Sequence, residues 1–405
     1  MTSLIYISYD GICEALGQSQ IIPYLKRLSD KYRIHIISYE KPKDYKNKKR
    51  IFSLRANLKD FDIEWTPMLY HKSPSVLATI FDILKGQFIT MRIARRLKAE
   101  ILHVRSYIPA LIALPTKKLT GVKLLFDIRG FWADERVDGG IWQRNSIIYR
   151  IVKRLERYLF IEADHVVTLT ESSVSEIKSF NYWKNISPKI TVIPTCADLE
   201  KFIPPKKTPD FDKFIFGYVG SFGTWYMLEE TIALFSAILE LRPQARMIVI
   251  NRNEHELVKT SFIRAGIPIE RIEITKCSHN EVSYHIQRMH AASVLIRPCF
   301  SKIASAPTKL AEYLGCSVPC VGTHEVGDME KVLEGDGIGV ILRNFDLKAI
   351  REAAIKIVTL AESSDVRARC RDIAVSRFSL NKGVEAYRLI YSNLINSQDK
   401  RKLIS

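Results

Sequence analysis

The sequence offers little to a metal ion, a disulfide or a membrane span. Its seven cysteines, Cys13, Cys196, Cys277, Cys299, Cys316, Cys320 and Cys370, are odd in number and form no C-x-x-C pair. That argues against a disulfide framework and a thiolate zinc site, and it fits a reducing cytoplasm. Cys316 and Cys320 flank an expected strand and read as buried packing. No Asp-x-Asp follows a strand and no histidine pair has ligand spacing on one helix face, so no metal or other cofactor is expected. No run approaches the roughly 20 apolar residues of a spanning helix. The opening "SLIYISY" is too short and too polar at its flanks for a secretory segment and reads as a strand. RRM, KH, zinc-finger and basic-zipper patterns are missing, which argues against nucleic acid as a partner. No short tandem repeat is apparent.

What is present suits a large folded protein. The 405 residues are too many for one typical core and fit two domains of ordinary size. Apolar residues make up 47% and charged residues 26%, so disorder is not the default. The net charge of +17 points to a solvated basic face, an anionic membrane surface or phosphorylated substrates. Two clusters, "KPKDYKNKKR" (Lys41 to Arg50) and "MRIARRLKAE" (Met91 to Glu100), lie in the first half. "VLATIFDILKGQFITMRIARRLK" mixes apolar and basic residues in the manner of an interfacial segment. Peripheral attachment to the inner face of the plasma membrane is therefore expected.

Along the chain, short apolar β-branched runs alternate with helical spacing. "LIYISY", "RIHIISYE", "EILHVRSY", "VKLLFDIRG", "ADHVVTLTE" and "KITVIPT" read as strands of a first domain, residues 1–200. Pro204, Pro205 and Pro209, with Pro194 just before, mark 201–213 as a linker. The rhythm then restarts with "FIFGYVGS", "ARMIVIN", "RIEITKC", "ASVLIRPC", "VPCVG" and "GIGVIL" in a second domain, 214–379, followed by a basic helical segment, 380–405. Strand–helix alternation implies an α/β fold with two doubly wound, Rossmann-like domains and a cleft between them. Ligands of such sheets sit beyond the carboxyl ends of strands, so chemistry is sought there.

In "SKIASAPTKLAEYLGCSVPCVG" a helix is expected to start at Pro307, capped by Ser305 and ended by Gly315. Leu310, Ala311 and Leu314 share one face, and Thr308, Lys309 and Glu312 the other. The helix start with Thr308 and Lys309 suits a phosphate, and Glu312 suits ribose hydroxyls. An ordinary capped helix with a surface Lys309–Glu312 pair is the competing reading. After the first strand, "YDGICEALGQSQ" holds Gly11, Gly17 and Gln18, where backbone can approach a diphosphate or an acceptor. Arg105 ends the strand "EILHVR". It stays protonated and cannot act as a base, but it can hold a phosphate or an acceptor hydroxyl. His103, inside that strand, reads as a packed core residue. "LLFDIRGFWADERVDGG" gathers Asp127, Arg129, Trp132, Asp134, Glu135 and Arg136 at a strand end. Acceptor recognition is expected there, against the alternative of an internally paired loop.

"SAPTKLAEYLGCSVPCV" resembles the nucleotide-binding segment of the retaining GT-B glycosyltransferases of family 4. "ADHVVTLTE" with "ITVIPTCADLEKF" resembles that family's run into its linker, "FGYVGSFG" its first C-domain loop, and "HNEVSYHIQRMHAASVLIRPC" the helix and strand before the motif. The resemblance covers nearly the whole chain in order. It implies a nucleoside-diphosphate sugar as donor, held mainly by the second domain, and a glycan or polyprenyl-diphosphate-linked acceptor on the first. It also implies a last helix that returns to the first domain and a role in cell-surface polysaccharide synthesis such as O-antigen, capsule or exopolysaccharide. Gly220 and Ser221 would meet phosphate through backbone. The basic residue often found shortly after that loop is replaced by Trp225 and Tyr226, which leaves Lys309 and Arg252 to supply charge. Lys309, Arg129, Arg105 and the donor-binding amides near Ser305 would stabilise the reacting charges, with the leaving phosphate taking the acceptor's proton. The family's first glutamate is Ala304 here, which leaves open a silent scaffold or a sugar-nucleotide epimerase of the same fold.

Overall fold

The computed structural model describes residues 1–180, 183, 189–207, 209–278 and 281–402. Thr208 of the expected linker, His279 and Asn280 of the quoted helix segment, and 403–405 of the last segment lie outside the described residues. The chain divides into two compact units, Met1–Ile193 with Asn381–Ser405, and Pro194–Leu380.

The first unit is built on seven parallel strands: β1 (Thr2–Ser8), β2 (Tyr32–Glu40), β3 (Glu64–Leu69), β4 (Ile101–Arg105), β5 (Lys123–Asp127), β6 (His165–Thr168) and β7 (Ile190–Val192). Their order is β3-β2-β1-β4-β5-β6-β7. Helices cover both faces, so the central strands are buried on both sides and read as near-continuous apolar runs. In β1, Leu4 to Ser8 are all buried, and in β4 every residue is. β3 is the element the sequence pattern does not announce. It holds Pro67, which a ladder tolerates only at an edge, and β3 is the edge strand. On one face the helices Ser75–Leu97, Tyr107–Thr120 and Ile147–Glu162 pack side by side.

The long Leu380–Lys402 helix carries its aromatic side into this unit. Tyr387 packs edge-on to Tyr24 and Tyr391 edge-on to Tyr32, while the Arg388 guanidinium donates to the Arg27 carbonyl and to Asp30.

The second unit carries β8 (Ile215–Val219), β9 (Arg246–Ile250), β10 (Ile272–Thr275), β11 (Ala291–Val294), β12 (Cys320–Thr323) and β13 (Gly339–Leu342), all parallel in the order β10-β9-β8-β11-β12-β13. Both sheets are thus doubly wound and Rossmann-like. Residues 194–207 belong to this unit and fasten the helix of interest. Arg371 donates to the carbonyls of Leu199, Phe202 and Gly315. Gly315 leaves room for this, because a Cβ there would stand 2.9 Å from Leu199 Cδ2.

Candidate functional site

Each unit gathers charged residues at the carboxyl ends of its strands. In the second unit the helix runs Thr308–Gly315. Pro307 is extended (φ −69°, ψ 126°) and occupies the cap position, and no side chain caps the helix. Ser305 therefore does not cap it, and Pro307 stands one place earlier than the sequence suggested. Ser305 instead closes the Phe300–Ala304 turn through its N–H to the Lys302 carbonyl.

The helix is buried from Lys309 to Gly315, not along one face. Lys309 is 6% exposed and Glu312 7%, so they are not a surface ion pair. Lys309 Nζ has no hydrogen-bond partner among the described residues. It lies 4.0 Å from the centroid of the Tyr218 ring and 3.7 Å from that of Tyr226. The Glu312 carboxylate accepts no hydrogen bond among the described residues. Burial pushes the Lys309 ammonium down to about 7, opposed by Glu312, and pushes Glu312 up to about 8, opposed by Lys309. Both groups are driven towards their neutral forms by one cause, loss of water.

The loop after β8 lies against this lysine. Gly220 has φ +119°, and its N–H donates to the Ile250 carbonyl. The loop is tied to the end of β9: Asn251 Nδ2 donates to the Gly220 carbonyl, and Glu254 accepts from the Phe222 N–H. Ser221 is exposed beyond Gly220, with its carbonyl taking the Tyr218 hydroxyl. Thr308 is half-buried at the helix start. Arg252 stands exposed after β9, where Cys277 feels its charge, and it has no ion pair among the described residues. The structure does not join it to Lys309.

Two other cations, which sequence reasoning missed, do join the aromatic cluster. Lys302 Nζ is 3.8 Å above Trp225, and the Arg297 guanidinium is 5.3 Å from the same ring. The Trp225 carbonyl accepts from the Arg297 N–H. Their signal was available: both follow "ASVLI" at the carboxyl end of β11. Trp225 and Tyr226 thus act as ring seats for cations from elsewhere in the chain. Ala304 is fully buried in its turn.

In the first unit Arg105 is 4% exposed and Asp127 1%. Asp127 Oδ2 accepts from the Tyr387 hydroxyl at 3.0 Å and lies 3.9 Å from Arg105 Nη1 and 3.8 Å from Arg129 Nη1. Arg105 Nε is buried without a hydrogen-bond partner, 3.9 Å from Asp10 Oδ2. Neither carboxylate is close enough to hydrogen-bond this guanidinium, which bonds the Tyr6 hydroxyl instead. Burial raises Asp127, but Arg129, His103 and Arg105 outweigh it and hold the carboxyl below its usual range. His103 is a packed ring, edge-on to Tyr6, with Nδ1 2.6 Å from the Tyr391 hydroxyl. Two non-glycine residues at these neighbouring strand ends, Ser106 (φ 74°) and Arg129 (φ 59°), take left-handed backbone. Such strain concentrates where function demands it.

The remaining expected residues mostly serve the fold. A Cβ on Gly11 would stand 2.6 Å from Glu40 Oε2, and one on Gly17 2.4 Å from Ile12 Cα. Glu40 accepts the N–H groups of Ile12 and Cys13, and Gln18 Nε2 donates to the Ile12 carbonyl. The loop's amides at 12 and 13 are thus taken by a buried carboxylate. Trp132 stacks on Tyr107 with Arg136 over its ring, and Glu135 is half-buried beside it. Asp134 is paired with Tyr149 and Lys153. Among the described residues no three His, Cys, Asp or Glu side chains stand together as a metal site.

Residues 21–201 match the family model described as Glycosyltransferase Family 4, and residues 200–377 that described as Glycosyl transferases group 1. No curated protein matches the chain significantly. Among solved structures, a sucrose-phosphate synthase from Thermosynechococcus elongatus superposes with a TM-score of 0.72 at 12% identity, over 98% of this chain and 100% of that one. A glycosyltransferase from Rickettsia africae gives 0.68 at 14%, over 97% and 98%. Anabaena HepE in complex with UDP and glucose gives 0.66 at 11%, over 97% and 100%.

Proposed function

The chain belongs to the group 1 glycosyltransferases of GT-B fold, and we propose that it moves a sugar from a nucleoside-diphosphate donor to a glycan or lipid-linked acceptor with retention of configuration. The observation that carries this reading is the buried Lys309–Glu312 pair. A desolvated ammonium without a hydrogen-bond partner and a carboxylate without a donor are each costly alone. A nucleoside diphosphate supplies what both lack: anionic oxygens for Lys309 and ribose hydroxyls for Glu312. The Thr308 hydroxyl and the Ser221 amide add donors to the diphosphate, the Gly220 N–H being taken by the Ile250 carbonyl, and Lys302 and Arg297 add charge. That the HepE structure holds UDP and glucose supports a donor of this class.

The chemistry follows from charge placement. Bond breaking at the anomeric carbon leaves a diphosphate whose growing charge the cations stabilise within a site low in water. On the first unit, Arg105 and Arg129 offer charge to a phosphate or an acceptor hydroxyl. The departing phosphate takes the acceptor's proton, so the protein orients substrates without acting as a base itself. The buried Ala304 methyl leaves donor-sugar hydroxyls to other groups.

The acceptor reading brings in the membrane surface. No described helix is long and apolar enough to cross a membrane. The Ser75–Leu97 helix nonetheless exposes Leu77, Ile80, Phe81, Leu84 and Phe88 along one stripe that continues into Arg92 and Arg95. The Ile147–Glu162 helix exposes Ile148, Ile151, Leu155 and Tyr158 beside Arg150, Arg154 and Arg157. Asp82 and Glu156 are buried, and the half-buried Glu162 is paired with Lys118, so both outer faces offer mainly apolar and basic residues, the chemistry of an anionic bilayer surface. That attachment supports a role in cell-surface polysaccharide synthesis at the cytoplasmic face of the plasma membrane.

A thermal-shift screen across UDP-, GDP-, ADP- and dTDP-sugars tests the donor assignment. The matching donor raises the melting temperature by mass action, and Glu312→Ala removes most of that rise. A screen in which no nucleotide sugar stabilises the protein rejects the assignment.

A further inference from the structure

The carboxyl ends of β1, β2 and β3 hold a cluster that no step above uses. Asp82, on the inner side of the Ser75–Leu97 helix, is wholly buried. Its Oδ2 accepts from the Tyr9 hydroxyl at 2.8 Å and from the His71 backbone N–H at 3.1 Å. Its Oδ1 lies 2.6 Å from His71 Nδ1. A carboxylate there selects the tautomer with the proton on Nδ1 and the lone pair on Nε2. Nε2 has no hydrogen-bond partner among the described residues, and the side chain is 33% exposed.

The imidazole is rigidly held. Tyr39 donates to the Asp82 carbonyl at 2.6 Å, and Gly86 one turn on admits that hydroxyl, since a Cβ there would stand 2.4 Å from it. The Tyr9 ring packs on Tyr39 and Tyr70 with centroids 4.8 and 5.3 Å away. Phe81 meets His71 edge-on at 5.2 Å and is itself exposed, as part of the apolar stripe of the same helix. An oriented hydrogen-bond acceptor, half-buried tyrosines and an apolar track therefore adjoin.

We propose that this cluster binds the hydroxylated head group of an amphiphilic acceptor, with His71 Nε2 accepting a hydrogen bond from a sugar hydroxyl and the alkyl chain lying along Leu77, Ile80, Phe81 and Leu84. The inference rests on the glycosyl-transfer reading and names the acceptor class within it. Strand carboxyl ends are where doubly wound sheets receive ligands. Pinning the loop to the helix needs only the His71 N–H and the Tyr9 hydroxyl on Oδ2. The Oδ1 contact instead orients a ring whose other nitrogen has no hydrogen-bond partner among the described residues. Phe81 joins that ring to the apolar stripe, which selects a ligand with both a hydroxylated and an aliphatic part.

The test uses the full chain and octyl β-glucopyranoside below its micelle concentration, with glucose and octanol as the separate halves of the probe. Nitrogen NMR of ring-labelled histidine reads His71 directly. The free protein should show the Nδ1–H tautomer, and the Nε2 resonance should move with octyl glucoside more than with either half. His71→Asn keeps an amide donor for Asp82 and has nothing at Nε2. It should weaken octyl glucoside binding about tenfold, equivalent to ~1.4 kcal/mol, with its melting temperature within about 2 °C of the parent. His71→Gln, which puts an amide oxygen near Nε2, should recover part of the loss. An Nε2–H tautomer, an unmoved resonance, octanol acting as strongly as the glucoside, or unchanged affinity in His71→Asn each overturns the proposal. Nucleotide-sugar binding by the same variants should match the parent. If it is absent even in the parent, the transferase reading fails instead, whatever the glucoside shows.

Discussion

Lys309 and Gly220 fit against one another: the lysine Nζ lies 3.2 Å from where a Cβ on Gly220 would stand, and Gly220 holds φ +119°. An alanine at 220 would meet both the ammonium and a backbone conformation that L-residues avoid. Gly220→Ala should cost about 1–2 kcal/mol of stability and weaken nucleotide-sugar binding. Denaturant midpoints and calorimetric titration measure both, and an unaltered affinity would place the donor away from this loop.

The depressed ammonium of Lys309 makes nucleotide binding depend on pH in a defined direction. Free, the group loses its proton as pH rises through about 7. A bound diphosphate favours the charged form and raises that value. Binding at pH 8 must then take up a proton, and affinity must fall as pH climbs above 7. Glu312, raised by burial, contributes a limb of opposite sign when it accepts ribose hydroxyls, so Glu312→Gln isolates the lysine. Calorimetry of the best-binding nucleoside diphosphate in two buffers of different ionisation heat reads the uptake. Lys309→Arg should abolish it.

Glu312 is buried without a hydrogen-bond donor, so its removal should relieve the fold. Glu312→Gln is expected to melt no lower than the parent, yet to bind the nucleoside diphosphate roughly tenfold more weakly, the loss of about 1.4 kcal/mol for a charge-assisted hydrogen bond. The parent should prefer the ribonucleotide to its deoxy form more than the variant does. Equal affinities would remove Glu312 from the ribose.

Arg105 is likewise buried in the first unit, with the Tyr6 hydroxyl as its hydrogen-bond partner. Its five donors find no carboxylate within hydrogen-bond reach, so Arg105→Gln should leave the melting temperature near the parent's. Turnover should fall by ~10²-fold, in the range seen when a charge-stabilising donor is lost. Arg105→Lys should restore little of it, because a point charge does not reproduce a planar fork. A variant that unfolds while its surviving folded fraction keeps full turnover would mark Arg105 as structural.

The outer faces of the two amphipathic helices predict lipid dependence. Leu84→Ser with Phe88→Ser, or Ile151→Ser with Leu155→Ser, should reduce flotation with vesicles rich in anionic lipid. Raised salt should weaken the parent's binding, since surface charge is screened. Binding to neutral vesicles that is equally strong would set the electrostatic part aside.

By itself the sequence determined the strand–helix rhythm, the two doubly wound sheets, and the region from Ser305 to Glu312 as the place to look. Those features depend on near neighbours: apolar runs that suit strands buried on both faces, and turn residues that end them. β3 escaped because an edge strand with a proline, "EWTPML", lacks that pattern. The tertiary structure alone decided that Lys309 and Glu312 are buried without hydrogen-bond partners, and not a paired surface couple. It alone brought Lys302 and Arg297 to Trp225, set Gly11 against Glu40, and joined His71 to Asp82. Burial, charge state and partnership are sums over side chains distant in sequence. No local window carries them, however clearly it announces the elements that bring those side chains together.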